Sequence, residues 1–118
     1  MKKVLIVEDE EDVWPILERT FKKLGFDEFE FCDEGKTAKE IYDKFLPDFV
    51  LLDIGLVDGD YAGLEVLEYI KSKNGNAKVL MLSGYDSNKE KSLELGADGF
   101  LSKPVMPSSL KEAVGKLL

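Results

Sequence analysis

The sequence predicts a doubly wound α/β domain, with five parallel strands in the order 2-1-3-4-5 and five helices. Three observations carry this prediction. Short apolar runs alternate with segments of helical period along the whole chain, the pattern of repeated β-α units. The runs are continuous rather than alternating, as in Val4-Leu5-Ile6-Val7 and Val79-Leu80-Met81-Leu82, which suits strands covered by helices on both faces. The chain has 118 residues, 44% of them apolar, enough for one domain with a real core. No repeat or low-complexity linker divides it, so residues 1–118 are expected to form a single domain with right-handed crossovers.

Each element can be justified in turn. Val4 to Val7 form the first strand. Val13, Ile16, Leu17, Thr20, Phe21 and Leu24 then recur at helical spacing, and Gly25 stops the helix. Pro15 lies inside this pattern and is tolerated in a first turn, which places the helix start near Glu11 or Asp12. Phe29, Phe31 and Cys32 mark a shorter second strand. Ala38, Ile41, Tyr42 and Phe45 mark the second helix, which ends before Pro47. Phe49 to Leu52 form the third strand. Leu64, Val66, Leu67 and Ile70 define the third helix, closed by the polar Lys73-Asn74-Gly75-Asn76. Val79 to Leu82 form the fourth strand. Leu93 and Leu95, before Gly96, mark a short fourth helix, and Phe100-Leu101 a brief fifth strand. Leu110, Ala113, Val114 and Leu117 belong to the last helix.

Composition narrows the chemistry. Acids outnumber bases 24 to 16, for a formal charge of −8. A field of that sign disfavours direct contact with nucleic acid or an anionic membrane and favours cations and basic partners. The chain has no histidine. That excludes His-ligated zinc, a Ser-His triad and a phosphohistidine carried by this chain. Cys32 is the only cysteine, so no internal disulfide is possible and a small core or edge hydrophobe is expected there. The apolar runs are far too short to span a membrane, and MKKVLIV runs directly into acids, unlike a signal peptide. A cytoplasmic protein is expected.

The polar residues collect at one edge. In a doubly wound sheet, ligands bind beyond the carboxyl ends of the strands, at the switch point between the first and third. The first strand ends at Glu8 and Asp9, the third at Asp53, and the fourth at Ser83-Gly84, while Lys103-Pro104 follows the fifth. A buried carboxylate is costly unless paired, hydrogen-bonded or bound to a metal, and neighbouring carboxylates raise one another's pKa. A cation removes that problem. All-oxygen ligation with room for water suits Mg²⁺ rather than zinc. Lys103 adds a point charge for an incoming anion, and the Ser83 hydroxyl can donate to its oxygens. Together these parts serve phosphoryl transfer, with Asp53 as the nucleophile.

LIVEDE, LLDI, LSG and FLSKP, in this order and spacing, resemble the receiver domain of two-component response regulators, whose fold is flavodoxin-like. The resemblance runs from Lys3 to the last helix; each motif alone is weak, and the ordered set is strong. It implies that Asp53 is the phosphoacceptor and that Glu8 and Asp9 are the acidic pair serving Mg²⁺, with the backbone carbonyl of Gly55 as a further ligand. It makes Ser83 the switch hydroxyl, Phe100 the switch aromatic and Lys103 the phosphoryl-binding lysine, with a cis bond between Lys103 and Pro104. The implied function is a signalling switch that catalyses only its own phosphoryl transfer and autodephosphorylation. A histidine kinase or histidine phosphotransfer protein supplies the phosphoryl group. The face built by the fourth helix, fifth strand and last helix meets the downstream protein. Such a chain is expected either alone or as one domain of a longer regulator or hybrid kinase.

The chain departs from the family pattern after Asp53. The Leu-Pro or Met-Pro usual there is absent, because Val57 follows Leu56, and Gly63-Leu64-Glu65 arrives about two residues late. The enlarged loop carries Asp58, Gly59 and Asp60. It is expected to be a solvated extension with extra conformational freedom, its two acids peripheral to the metal. Trp14 and Pro15 either pack at a helix edge or meet a partner. Two other functions compete. An aspartyl-phosphate hydrolase wants a second acid two residues after the nucleophile, where Gly55 stands. A flavin-binding module wants a Ser/Thr/Gly phosphate loop after the first strand, where Glu8-Asp9-Glu10-Glu11-Asp12 would repel a phosphate.

Overall fold

The computed structural model describes residues 2–73 and 76–118. Five parallel strands lie in the order β2-β1-β3-β4-β5: β1 Lys3–Val7, β2 Glu28–Cys32, β3 Phe49–Asp53, β4 Lys78–Ser83 and β5 Gly99–Ser102. The helices are α1 Trp14–Lys23, α2 Gly35–Phe45, α3 Ala62–Ser72, α4 Lys89–Glu94 and α5 Pro107–Leu117. This is the doubly wound architecture expected from the alternating pattern. The continuous apolar runs fill both faces of the sheet because successive strand side chains point to opposite sides. Leu5, Val7, Val50 and Leu52 face Ala38, Tyr42, Val66, Leu67 and Ile70 of α2 and α3. Val4, Ile6, Phe49 and Leu51 face Leu17, Phe21, Leu110 and Val114 of α1 and α5.

Several local expectations are corrected. The first helix opens with a 3-10 turn over Glu11–Val13, and regular α-helix begins only at Trp14, with Pro15 in its first turn. Strand β2 starts at Glu28, and β3 and β4 extend to Asp53 and Ser83, so two of the polar residues are the last members of strands rather than residues beyond them. On α4 it is Ser92 that is fully buried, its hydroxyl donating to the Asn88 carbonyl at 2.8 Å, while Leu93 is 46% exposed. Helix α3 ends at Ser72. Asn74 and Gly75 of the polar stretch expected after it lie outside the described residues. Gly25, at φ 95°, occupies the left-handed region just past α1, where a side chain is disfavoured.

Candidate functional site

The sheet ladder continues into the site and holds its residues in place. The Glu8 amide donates to the Cys32 carbonyl (3.0 Å), the Lys103 amide to Ser83 (2.8 Å) and the Ile54 amide to Leu82 (3.0 Å). Each polar side chain at a strand end therefore has a fixed backbone origin. The α3 start is equally constrained. The Gly63 amide donates to the Ile54 carbonyl at 2.8 Å, and a Cβ on Gly63 would lie 2.0 Å from the Asp53 carbonyl oxygen. Only glycine allows that approach.

Asp9, Asp53, Gly55, Ser83 and Lys103 line one cleft of about 710 Å³, together with Asp60, Tyr61, Tyr85 and Asn88. Lys103 Nζ lies 2.6 Å from Asp53 Oδ2, and 3.0 and 3.1 Å from the two oxygens of Glu8. Glu8 and Asp53 are 3% and 4% exposed. Two buried carboxylates thus share one ammonium, which offsets part of their desolvation. The balance remains short of positive charge. Burial, reinforced by Asp53 and Asp9, pushes the Glu8 carboxyl up to about 8. Burial also raises Asp53, against the pull of Glu8 and Lys103. Asp9 is lowered: burial opposes this, but hydrogen bonding with Glu8 and Asp53 and the Lys103 charge prevail.

Among the described residues, the three acids whose oxygens gather within 4.8 Å of one another are Glu8, Asp9 and Glu10. Glu10 was not among the expected ligands, and Asp53 stands outside this group, held by Lys103. The donor set is all oxygen. The hydrogen bonds that close the β3–α3 loop use the carbonyls of Ile54, Leu56 and Gly59 and leave that of Gly55 aside. Hard oxygen donors, an excess of carboxylate and an open cleft fit a hydrated Mg²⁺ better than a softer metal.

Ser83 is buried and already engaged. Its Oγ accepts from the Tyr85 amide and from Asn88 Nδ2, both at 3.0 Å, and it donates to the Tyr85 carbonyl at 3.2 Å. Phe100 does not reach the cleft. It is half-buried on β5, packed against the α2–α3 side of the core, and opens onto a separate groove shared with Leu117. The Lys103–Pro104 peptide is cis. Trp14 stacks on Phe31 with ring centroids 5.2 Å apart, and its indole N–H donates to the Glu8 carbonyl at 3.0 Å. It packs at a helix edge and also steadies the acidic pair.

The enlarged loop divides its two acids. Asp60 lines the cleft. Asp58 turns away from it and accepts hydrogen bonds from the amides of Gly35 (2.8 Å) and Lys36 (3.1 Å) at the start of α2. The expected free extension is instead tied down at its tip. Sequence reasoning missed Asn88, and it named Asp58 and Trp14 without the contacts they make, because each acts across a segment that no motif spacing marks.

The model of the response regulator receiver domain matches residues 4–115. The chain is 32% identical to the chemotaxis protein CheY of Halobacterium salinarum, over 99% of this chain and 97% of that protein. It is also 32% identical to the alkaline phosphatase synthesis transcriptional regulatory protein PhoP of Bacillus subtilis, over 99% of this chain but 48% of that one. Among solved structures, CheY of Borrelia burgdorferi in a complex with CheX, BeF3 and Mg²⁺ superposes with a TM-score of 0.88 at 28% identity, covering 98% of this chain and 88% of that chain. A CheY-like receiver domain from Methanospirillum hungatei also gives 0.88 at 28% identity, covering 99% and 93%.

Proposed function

The chain belongs to the response regulator receiver family of two-component signalling, and from that premise we propose that Asp53 is its phosphoacceptor. One observation carries the reading: Lys103 Nζ sits 2.6 Å from Asp53 Oδ2 in a cleft that Ser83 and, just past β1, Asp9 also line. A strand-end carboxylate beside a lysine, with a hydroxyl on the neighbouring strand, presents a nucleophile with donors for the oxygens of an incoming phosphoryl group.

An Asp53 oxygen attacks phosphorus as the P–N bond to a partner's phosphohistidine breaks, and the leaving imidazole keeps the electron pair and takes up a proton. Lys103 passes from the carboxylate to the new phosphoryl oxygens. Mg²⁺, held by Glu8, Asp9, Asp53 and the Gly55 carbonyl, would supply the hard positive charge that this acidic cleft lacks. The Ser83 hydroxyl gives up Tyr85 and Asn88 to donate to the phosphoryl group. That exchange loosens the β4–α4 connection and frees space toward Phe100. A contact made only in the phosphorylated state shifts the population between two packings. Hydrolysis of the acyl phosphate in the same cleft resets the switch.

The donor is a histidine kinase or histidine phosphotransfer protein, since this chain has no histidine. The downstream protein meets the α4–β5–α5 face, where Leu93 and Met106 are exposed. No helix among the described residues is long and apolar enough to cross a membrane, and we place the exchange in the cytoplasm, within one receiver domain over residues 1–118. Incubation with acetyl phosphate and Mg²⁺, followed by intact mass, tests the assignment. The expected result is a single phosphoryl adduct that is lost in Asp53→Asn. An adduct that survives this substitution refutes it.

A further inference from the structure

We infer that Asp58 is a positioning residue for the phosphorylation cleft, acting as a clamp that fixes the β3–α3 loop against the start of α2. The inference rests on the reading of the cleft given above. The loop has two sides. Gly55, Leu56, Asp60 and Tyr61 face the cleft. At the tip, Asp58 takes the first two amides of α2 on its two carboxylate oxygens, at 2.8 and 3.1 Å, while the Val57 amide donates to the Asp33 carbonyl at 3.0 Å. The loop is closed on itself by paired backbone hydrogen bonds between Leu56 and Gly59, at 2.9 and 3.1 Å. A short closed loop anchored at its tip has little freedom left at its base, where Gly55 lies.

Helix α2 depends on this cap. Its own N-cap residue, Glu34, makes no capping hydrogen bond and instead accepts from the Thr37 hydroxyl at 2.6 Å. The first amides of a helix need an acceptor, and a carboxylate there also meets the positive end of the helix dipole. Asp58 fills that place from 22 and 23 positions away in sequence. The helix starts are packed together as well, since a Cβ on Gly35 would come within 3.2 Å of Val66 and 3.4 Å of Ala62. The clamp therefore joins the loop, α2 and α3 into one body. A proline would stiffen such a loop from within; here the stiffness comes from a side chain bound outside it.

The test is a Mg²⁺ titration of the full chain followed by amide NMR, for the wild type, Asp58→Ala, Asp58→Asn and Ala38→Gly. The last weakens α2 at a buried position of the helix and leaves the loop sequence and the Asp58 carboxylate unchanged. Asp58→Ala should weaken Mg²⁺ binding about tenfold, the low end for residues that orient a metal site without touching it. Asp58→Asn keeps one acceptor and should fall between Asp58→Ala and the wild type. Ala38→Gly should stay within about twofold of wild type, and the loss in Asp58→Ala should persist at about 0.5 M KCl, where remote charge is screened. The Gly35 and Lys36 amides should respond to Mg²⁺ in the wild type and not in Asp58→Ala, because coupling between two sites is reciprocal. Equal affinities in Asp58→Ala and Ala38→Gly would reduce Asp58 to a helix cap. Equal losses in Asp58→Ala and Asp58→Asn that vanish at high salt would reduce it to a remote charge. Either outcome overturns the clamp and leaves the cleft intact, whereas a wild type without saturable Mg²⁺ binding overturns the reading of the cleft as well.

Discussion

One substitution made at two places separates steric constraint from helix propensity. Gly63 opens α3 and is buried; Gly115 lies near the end of α5 and is exposed. Alanine is favoured over glycine in a helix by about 1 kcal/mol, so propensity alone predicts that both Gly→Ala changes stabilise. The surroundings differ. A Cβ on Gly115 meets nothing within 4 Å, whereas on Gly63 it would lie 2.0 Å from the Asp53 carbonyl oxygen and 2.7 Å from the Ile54 Cα. Carbon–oxygen contacts sit near ~3.4 Å, so α3 must retreat by more than about 1 Å. That retreat stretches the 2.8 Å hydrogen bond from the Gly63 amide to Ile54 out of range. Overpacking costs about 1–3 kcal/mol and the orphaned buried pair another ~1–3 kcal/mol. After the propensity gain, the net loss for Gly63→Ala is about 3 kcal/mol, or roughly 10 °C in Tm for a domain of this size. Gly115→Ala should gain about 0.5–1 kcal/mol. Urea unfolding followed by circular dichroism measures both. A Gly63→Ala protein as stable as wild type would refute the steric argument, and with it the claim that this close approach constrains the start of α3.

Three further outcomes are expected. A carboxyl whose pKa is higher in the folded than in the unfolded state contributes stability that is present below the unfolded value and lost as pH rises through the folded one. For Glu8 that window runs from about 4.5 to about 8. In EDTA, the wild type should therefore lose at least about 1.4 kcal/mol relative to Glu8→Gln across the window, the equivalent of one pKa unit, as read from urea unfolding at its two ends. Burial, against the hydrogen bond from the Glu34 amide and with the charges of Asp33, Glu34 and Asp58 behind it, pushes the Cys32 thiol up to about 12. A disulfide-exchange reagent at neutral pH should label it at the rate of unfolding rather than at the rate of a free thiol. Trp14→Phe should cost about 1 kcal/mol for the lost hydrogen bond to the Glu8 carbonyl, as read from thermal melts.

The sequence by itself determined the architecture and the polar roster at its edge. Continuous apolar runs separated by helical-period segments have few solutions other than a parallel sheet wrapped on both faces. In that sheet, Glu8, Asp9, Asp53, Ser83 and Lys103 must arrive at the same edge, because each follows or ends a strand of common direction. Chain order thereby becomes spatial convergence with no knowledge of side-chain contacts. The tertiary structure decided what lies between distant segments. The sharing of one lysine by Glu8 and Asp53, the hold of Asn88 on Ser83 and the Trp14 indole on the Glu8 carbonyl each depend on side-chain direction, which periodicity does not encode. Helix α4 shows the same limit: its leucine pattern named Leu93, yet packing buries Ser92, because a six-residue helix is oriented by its neighbours rather than by its own amphipathicity. Asp58 is the clearest case. In sequence it is one acid in a solvated loop. Only the packing of α2 against α3 brings two uncapped amides to its carboxylate, and an orphan donor takes the nearest acceptor in space, however far away that acceptor lies in the chain.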